Sequence, residues 1–485
     1  MTNHATAGLL LPLDRPREEC GVVGISGHPE ASHHAYLALY ALQHRGQESA
    51  GIATRDANGM HVHKAMGLVA EVFDDSILRE LPGRHAVGHV RYSTSGVSAL
   101  RDAQPFLATS GGVDVAIAHN GNLTNARAIR DELESFGSIF QSTMDSEVFA
   151  HLFARTRGTL PERLSDTLSR VRGAFSLAMM VDDVLIAARD PYGFRPLSLG
   201  RLDSAWVVAS ETCAFDLIGA TFERDVEPGE LLIIRRGRLR SLQPLPKVPE
   251  KLCIFEHIYF ARPDSRVFGN NVYQTRKQLG RELARESGVA ADMVVPVLDS
   301  GAAAALGYAE AAGLPYETGI IRNHFRGRTF IEPEQSIRHF GVRIKHNAIR
   351  EVVEGKRLVV VEDSIVRGTT LTKLVPLLRT AGAREVHLRV AAAPTTNPCF
   401  YGIDMPTRGE LIASSQTVEE VRAALGADSL AYLSLEAMRG VAASMKHGFC
   451  DACFSGDYVI PVDEIKAVEK QIPLFEDEAP DSPSD

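Results

Sequence analysis

The chain has 485 residues, a hydrophobic fraction of 45%, a charged fraction of 23% and a formal net charge of −9. That length predicts two domains of ordinary globular composition. The charge argues against a nucleic-acid partner, and the absence of any apolar run near ~18 residues argues against a membrane helix.

Residues 1–19 show little periodicity. Leu9-Leu10-Leu11 is too short for a secretory core and lacks a basic leader, so the protein is expected to be cytoplasmic. Six cysteines are too few for a disulfide scaffold in so long a chain; they read as ligands, nucleophiles or core residues. Cys20 follows Arg17-Glu18-Glu19 and opens the small-residue strand GVVGISG. A cysteine in mid-chain is ordinarily a buried thiol. A cysteine at a free N-terminus needs no histidine, because its own α-amine titrates near ~8 and accepts the thiol proton. A nucleophilic Cys20 therefore requires a propeptide, residues 1–19, cut between Glu19 and Cys20.

Ser32 to Gly46 (SHHAYLALYALQHRG) reads as a helix ending at a glycine stop. GQESAGIAT follows as a strand. Gly88 to Gly96 (GHVRYSTSG) is a strand entering a polar loop with Arg91. Ala116 to Asn125 is a strand ending at Asn120-Gly121, and Thr143 to Phe153 places Asp145 at a helix start. Each residue has an ordinary alternative: a surface ion pair for Arg91, a hairpin turn for Asn120-Gly121, an N-cap for Asp145. Together they suit hydrolysis of glutamine. Arg91 can pair with the α-carboxylate through two hydrogen bonds. Asp145 can hold the α-ammonium, and the Asn120 side chain with the Gly121 N–H can form an oxyanion hole. In this order after Cys20, and with VRGAFSLAMM, LIAARDPYGFRPLSLG and VVASET beyond them, they resemble the class II glutamine amidotransferase domain. The resemblance implies an N-terminal-nucleophile sandwich, αββα, over residues 20–250. Cys213 reads as packing, and Asp225 to Gly229 (DVEPG) as a tight turn before the strand ELLII.

Prolines and lysines cluster from Pro244 to Lys251, which marks a boundary. Beyond it, ADMVVPVLDSG (Ala291 to Gly301) is a strand and small-residue turn leading into the helix AAAALGYAEAAG. Arg322 to Lys345 is a basic stretch, either a solvated loop or one that closes over a substrate. Leu358 to Thr372 reads LVVVEDSIVRGTTLT: a short buried strand, two acids at its carboxyl end, and a hydroxyl-rich turn opening a helix near Thr370. Backbone N–H groups at such a turn cradle phosphate, and the two acids suit ribose hydroxyls or a magnesium ion. This pattern resembles the phosphoribosylpyrophosphate motif of type I phosphoribosyltransferases. The resemblance implies a mainly parallel sheet over residues 251–470. It assigns phosphoribosylpyrophosphate to Glu362, Asp363, Ser364, Arg367, Gly368, Thr369 and Thr370. It places Ser300, Glu362 and Asp363 near magnesium, and Arg328 and Lys345 on a flexible loop beside the leaving pyrophosphate.

With KLCIFEHIYFARPDS and SRVFGNNVYQTRKQLG at the join, the chain from Cys20 to about Ile460 resembles the amidophosphoribosyltransferase family. The family implies transfer of ammonia from glutamine to phosphoribosylpyrophosphate, giving 5-phosphoribosylamine, glutamate and pyrophosphate, the first step of purine (IMP) biosynthesis. It also implies a homotetramer inhibited by purine nucleotides. Cys450 and Cys453 form a C-x-x-C which alone is a redox pair, half a zinc site or chance. With Cys253 and Cys399 they match the four positions that hold a 4Fe–4S cluster in the iron–sulfur branch, zinc being the runner-up. The acidic tail, residues 471–485, is expected to be disordered. Two rivals remain: a non-catalytic nucleotide sensor on the same transferase fold, and an aminosugar or asparagine synthase, which would lack EDSIVRGTT.

Overall fold

The structure, a computed structural model, describes residues 20–92, 99–322, 346–405, 407–445 and 447–461. Residues 1–19, expected to be a propeptide, the acidic tail and most of the basic stretch from Arg322 to Lys345 lie outside these residues.

The first half opens with β1 (Gly21–Ser26), β2 (Ser49–Arg55), β3 (Met60–Met66) and β4 (His85–Arg91). It continues with β5 (Phe106–Ser110), β6 (Val113–Leu123), β7 (Gly173–Val181) and β8 (Val184–Arg189). β9 (Ser198–Leu202), β10 (Ala205–Ala209), β11 (Thr221–Asp225), β12 (Leu231–Arg235) and β13 (Arg238–Leu242) complete it. These strands make two antiparallel sheets, β11-β9-β10-β1-β4-β2-β3 and β13-β12-β8-β7-β6-β5. Alternate side chains go to different cores, as the period of two requires. Val22 meets Ala116 and Ala118 between the sheets, while Val23 and Ile25 pack with helix Ala31–Ala41. On the other sheet Ile117 and Phe175 pack with helices Glu147–Arg155 and Leu160–Arg170. Both strand faces are dry, which explains why β7 reads GAFSLAMMV without polar alternation. This is the expected αββα sandwich.

The expected helix from Ser32 to Gly46 is shorter. It runs Ala31–Ala41, a 3₁₀ turn covers Gln43–Arg45, and Gly46 is extended at φ −159° rather than left-handed. Arg45 leaves the helix path because it is turned into a buried ion pair.

The second half carries a parallel sheet of strands Met293–Pro296, Arg357–Glu362, Glu385–Val390 and Ser429–Tyr432, in that order. Leu358 to Val361 lie inside it and are fully buried. Val359 and Val361 face a core shared with helices Val272–Glu286 and Ala302–Ala312. Leu358 and Val360 face helices Leu371–Thr380 and Val418–Leu425. Just past the boundary Leu252–Cys253 pairs with Phe449–Cys450, Cys253 opposite Cys450, and the Cys253 N–H donates to the Phe194 carbonyl of the first half at 3.1 Å. A π-helical turn, Glu256–Phe260, follows. Among the described residues no helix is long and apolar enough to cross a membrane.

Candidate active sites and the cysteine cavity

Cys20 precedes β1, is 7% exposed and donates its thiol to the Tyr92 carbonyl at 3.4 Å. Burial pushes the thiol up to about 11, with Arg91 pulling it down and Asp145 and Glu48 pushing it up. Arg91, at the end of β4, is buried, so it is no surface ion pair. Asp145 is not the N-cap; Ser146 takes that position. The Asp145 carboxylate accepts the Leu123 N–H at 2.8 Å and lies 3.7 Å from His119 Nδ1. Burial raises its affinity for a proton, but the facing His119 and these hydrogen bonds outweigh burial and hold it below the usual carboxylate range.

Asn120 and Gly121 do not form a hairpin turn. β6 continues to Leu123, with Asn120 opposite Ser176 and Gly121 opposite Phe175 of β7. Asn120 is fully buried, and neither polar atom of its carboxamide has a partner among the described residues. A buried amide left this way costs about 1–3 kcal/mol, which marks the place for a ligand atom. Gly121 has φ +147°, and a Cβ there would stand 2.0 Å from the Ala174 carbonyl oxygen. Only glycine fits.

Two groups near this site escaped the sequence reading. His119 bonds Ser146 Oγ through Nδ1 at 3.1 Å and stands beside Asp145. Arg45 donates from Nε to the Cys20 carbonyl at 3.3 Å. Its guanidinium pairs with Glu256 at 2.6 Å and with Glu211, all three fully or nearly fully buried. No local pattern announces these pairings, because the partners come from distant strands and from the other half of the chain.

In the second half Glu362 ends the central strand, and Asp363 and Ser364 follow it, all buried. Asp363 accepts from Ser364 Oγ at 2.6 Å through one carboxylate oxygen; its other oxygen is buried without a partner. Gly368 has φ +75° in the turn, and the helix begins at Leu371 with Thr370 at its cap. Thr369 and Thr370 are half-buried, and Arg367 pairs with Glu410 at 3.2 Å. A Cβ on Gly301 would meet the Val361 carbonyl oxygen at 2.6 Å, so the turn before it lies against the end of the acid-bearing strand. Ser300, whose hydroxyl is buried and unpartnered, thereby shares a cleft with Asp363, Arg276 and Ile258. Arg276 was missed in the sequence. It donates to the carbonyls of His257 and Ala261 at 2.9 and 2.8 Å. Burial brings it down to about 10, with Asp363 the largest opposing charge. Arg328 and Lys345 lie outside the described residues.

Cys253, Cys399, Cys450 and Cys453 line one cavity together with Arg195 and Tyr401. All four are free of disulfides. Among the described residues no three His, Cys, Asp or Glu side chains converge to hold a single metal ion.

Buried Cys20, Arg91 and Asn120 on a two-sheet sandwich, joined to an acid-ended strand and a hydroxyl-bearing turn on a parallel sheet, point to a glutamine-dependent transferase acting on a phosphoribosyl donor. Residues 89–216 match the glutamine amidotransferase domain family and residues 270–398 the phosphoribosyl transferase domain family. The chain is 51% identical over 456 residues to a chloroplastic amidophosphoribosyltransferase of Arabidopsis thaliana, covering 93% of this chain and 81% of that protein. It is 50% identical over 447 residues to the amidophosphoribosyltransferase of Bacillus subtilis, covering 91% and 94%. A solved structure described as the allosteric regulatory enzyme of purine biosynthesis superposes with a TM-score of 0.88 at 49% identity, covering 91% of this chain and 97% of that one. The glutamine phosphoribosylpyrophosphate amidotransferase of B. subtilis, complexed with ADP and GMP, gives 0.87 at 49% identity, covering 91% and 98%. The chain belongs to the amidophosphoribosyltransferase family. It moves ammonia from glutamine to phosphoribosylpyrophosphate, yielding 5-phosphoribosylamine, glutamate and pyrophosphate, the first step of purine biosynthesis.

Proposed function

We propose that residues 20–250 carry the glutaminase and residues 251–470 the transferase, with the following roles. Removal of residues 1–19 frees the α-amine of Cys20. Because burial keeps the thiol protonated up to about 11, it needs an adjacent base, and an amine titrating near ~8 is one. Cys20 attacks the glutamine amide, ammonia leaves, and water cleaves the thioester to glutamate. Arg91 holds the substrate α-carboxylate and Asp145 its α-ammonium. Asn120 and the Gly121 N–H take the oxyanion. The observation that carries this reading is the fully buried Asn120 carboxamide with no protein partner.

In the second site Glu362 and Asp363 bind the ribose hydroxyls, and Ser364, Arg367, Gly368, Thr369 and Thr370 take the phosphoribosyl group. Ammonia attacks C1 as pyrophosphate departs, with no protein nucleophile. The orphaned oxygens of Asp363 and Ser300 in one cleft, with Glu362 beside them, are the hard donors magnesium prefers. Magnesium supplies charge neutralisation for the leaving pyrophosphate. The turn Glu256–Phe260 reaches both sites, through Glu256 to Arg45 and through Ile258 to the Ser300 cleft. Ammonia passes internally along it.

The cysteine cavity fits a 4Fe–4S cluster. Four thiols line one cavity with no histidine among them, a donor set that suits an iron–sulfur cluster, with zinc as the runner-up. The cluster would tie Leu252–Cys253 to the C-terminal strand. Purine nucleotides act as inhibitors, in keeping with the ADP and GMP complexed with the B. subtilis relative; a cytoplasmic homotetramer is part of the same proposal.

An electrophilic glutamine analogue tests the first half. Mass spectrometry should find the adduct on Cys20 in protein that begins at Cys20, and none in protein that retains residues 1–19. Equal labelling of both forms would refute the α-amine as base.

A further inference from the structure

The glutaminase pocket is closed on one side by the other half of the molecule. Gly121 lies between the Ala174 carbonyl of β7 and Gly402, which belongs to the segment following the third strand of the parallel sheet. A Cβ on Gly402 would stand 2.8 Å from both Cα and C of Gly121. Gly402 has φ +101° and is buried. Its backbone therefore rests directly on that of Gly121, an approach that excludes any side chain.

The segment that delivers Gly402 is fixed to the glutaminase half at several points. Asn122, next to Gly121, donates its side-chain amide to the Phe400 carbonyl at 3.0 Å. Arg195 donates from Nε to the Tyr401 carbonyl at 3.1 Å. Tyr401 is stacked on Phe194 with ring centroids 4.3 Å apart and planes 19° from parallel. At its other end, Cys399 accepts the Tyr401 N–H on sulfur at 3.3 Å. None of these contacts involves a residue assigned to phosphoribosylpyrophosphate. The clamp acts on the peptide that follows Asn120.

We propose that Gly402 is a positioning residue of the glutaminase. The transferase half, through the segment Cys399–Gly402 and its bond to Asn122, sets the orientation of the Gly121 backbone and hence of the oxyanion donor. The proposal rests on the assignment of Asn120 and Gly121 as the oxyanion hole. A donor moved by a few tenths of an ångström can still donate to the carbonyl of a ground-state amide but loses the developing oxyanion, so the effect falls on kcat rather than KM.

The test uses full-length, processed enzyme with phosphoribosylpyrophosphate and magnesium present, and compares Gly402→Ala, Asn122→Ala and Asn120→Ala. Removal of one oxyanion donor costs about 10²–10³ in kcat. Gly402→Ala should lower glutaminase kcat by at least about tenfold and Asn122→Ala by about threefold or more, each with KM for glutamine within about twofold. Ammonia-dependent pyrophosphate release, read on the same preparations, reports whether the added methyl has disturbed the transferase. If Gly402→Ala fails that control, Asn122→Ala, which adds no atom, decides alone. The positioning role is overturned if Asn120→Ala collapses kcat while Asn122→Ala and a folded Gly402→Ala keep it, or if they change KM only. If Asn120→Ala itself keeps full kcat, the oxyanion assignment is what fails.

Discussion

The groups proposed for the glutaminase, Cys20, Arg91 and Asn120, sit on or at the ends of strands with at most 7% of their surface exposed, and the Asn120 amide has no partner among the described residues. The groups proposed for the transferase, Ser364 to Thr370, sit on a turn beyond a parallel strand, where Arg367, Thr369 and Thr370 remain partly open. Chemistry explains the difference. A covalent step through a thiol needs a water-poor, preformed pocket whose donors are fixed before reaction. Displacement of pyrophosphate by ammonia needs no protein nucleophile, only charge compensation and a grip on ribose and phosphates, which a turn at the carboxyl edge of an α/β sheet provides. The first site should therefore be sensitive to single atoms, and the second to charge.

Cys20→Ala gives the largest separation of the two. Glutamine-dependent glutamate release should fall by at least about 10³, while ammonia still yields pyrophosphate. Loss of both activities together would merge what the structure keeps apart. Next in size, Asp363→Asn should lower pyrophosphate release by about 10² with either nitrogen donor, since it removes charge from the shared cleft. A defect confined to glutamine would move Asp363 out of the second site. The two halves also share a buried network, and Arg45→Met tests it. Glu211 and Glu256 would be left without their common cation, so urea unfolding should show a loss of about 3–5 kcal/mol. A change below about 1 kcal/mol would mean that the network carries little net stability.

The smallest effect is a shift in a pH profile. Burial raises the Cys20 thiol to about 11, so in protein retaining residues 1–19 alkylation by iodoacetamide should rise with pH only through about 11. The sign follows from the thiol being neutral below its pKa and the thiolate being the nucleophile. Once the α-amine is free, the rise should move down to near ~8. Coincident profiles would show that the amine does not serve the thiol.

Much of this was readable in the chain. Leu358 to Val361 followed by Glu362 and Asp363 fixes strand, edge and chemistry within a few residues. The order Cys20, Arg91, Asn120, Asp145 outlines the first pocket. Local pattern failed where tertiary pairing decides. Asn-Gly ordinarily marks a hairpin, yet here it lies inside β6 because Ala174 and Gly402 crowd it from two sides. Arg45 looked like a helix residue and is instead the cation between two acids from elsewhere in the chain. Arg276 and Gly402 carry no signature at all, since their roles are set by the backbones they touch. The alanines after Gly301 are legible only as a helix; Ala303 and Ala304 are buried, and Ala304 belongs to the core shared with helix Val272–Glu286.

The direct measurement of coupling between the two sites follows glutamate and pyrophosphate in the same tube, using anaerobically purified protein whose N-terminus is Cys20, with and without phosphoribosylpyrophosphate and magnesium. Glutamate release should rise when phosphoribosylpyrophosphate is added and should match pyrophosphate one for one. Glutamate without pyrophosphate, or pyrophosphate indifferent to glutamine, would contradict the coupling.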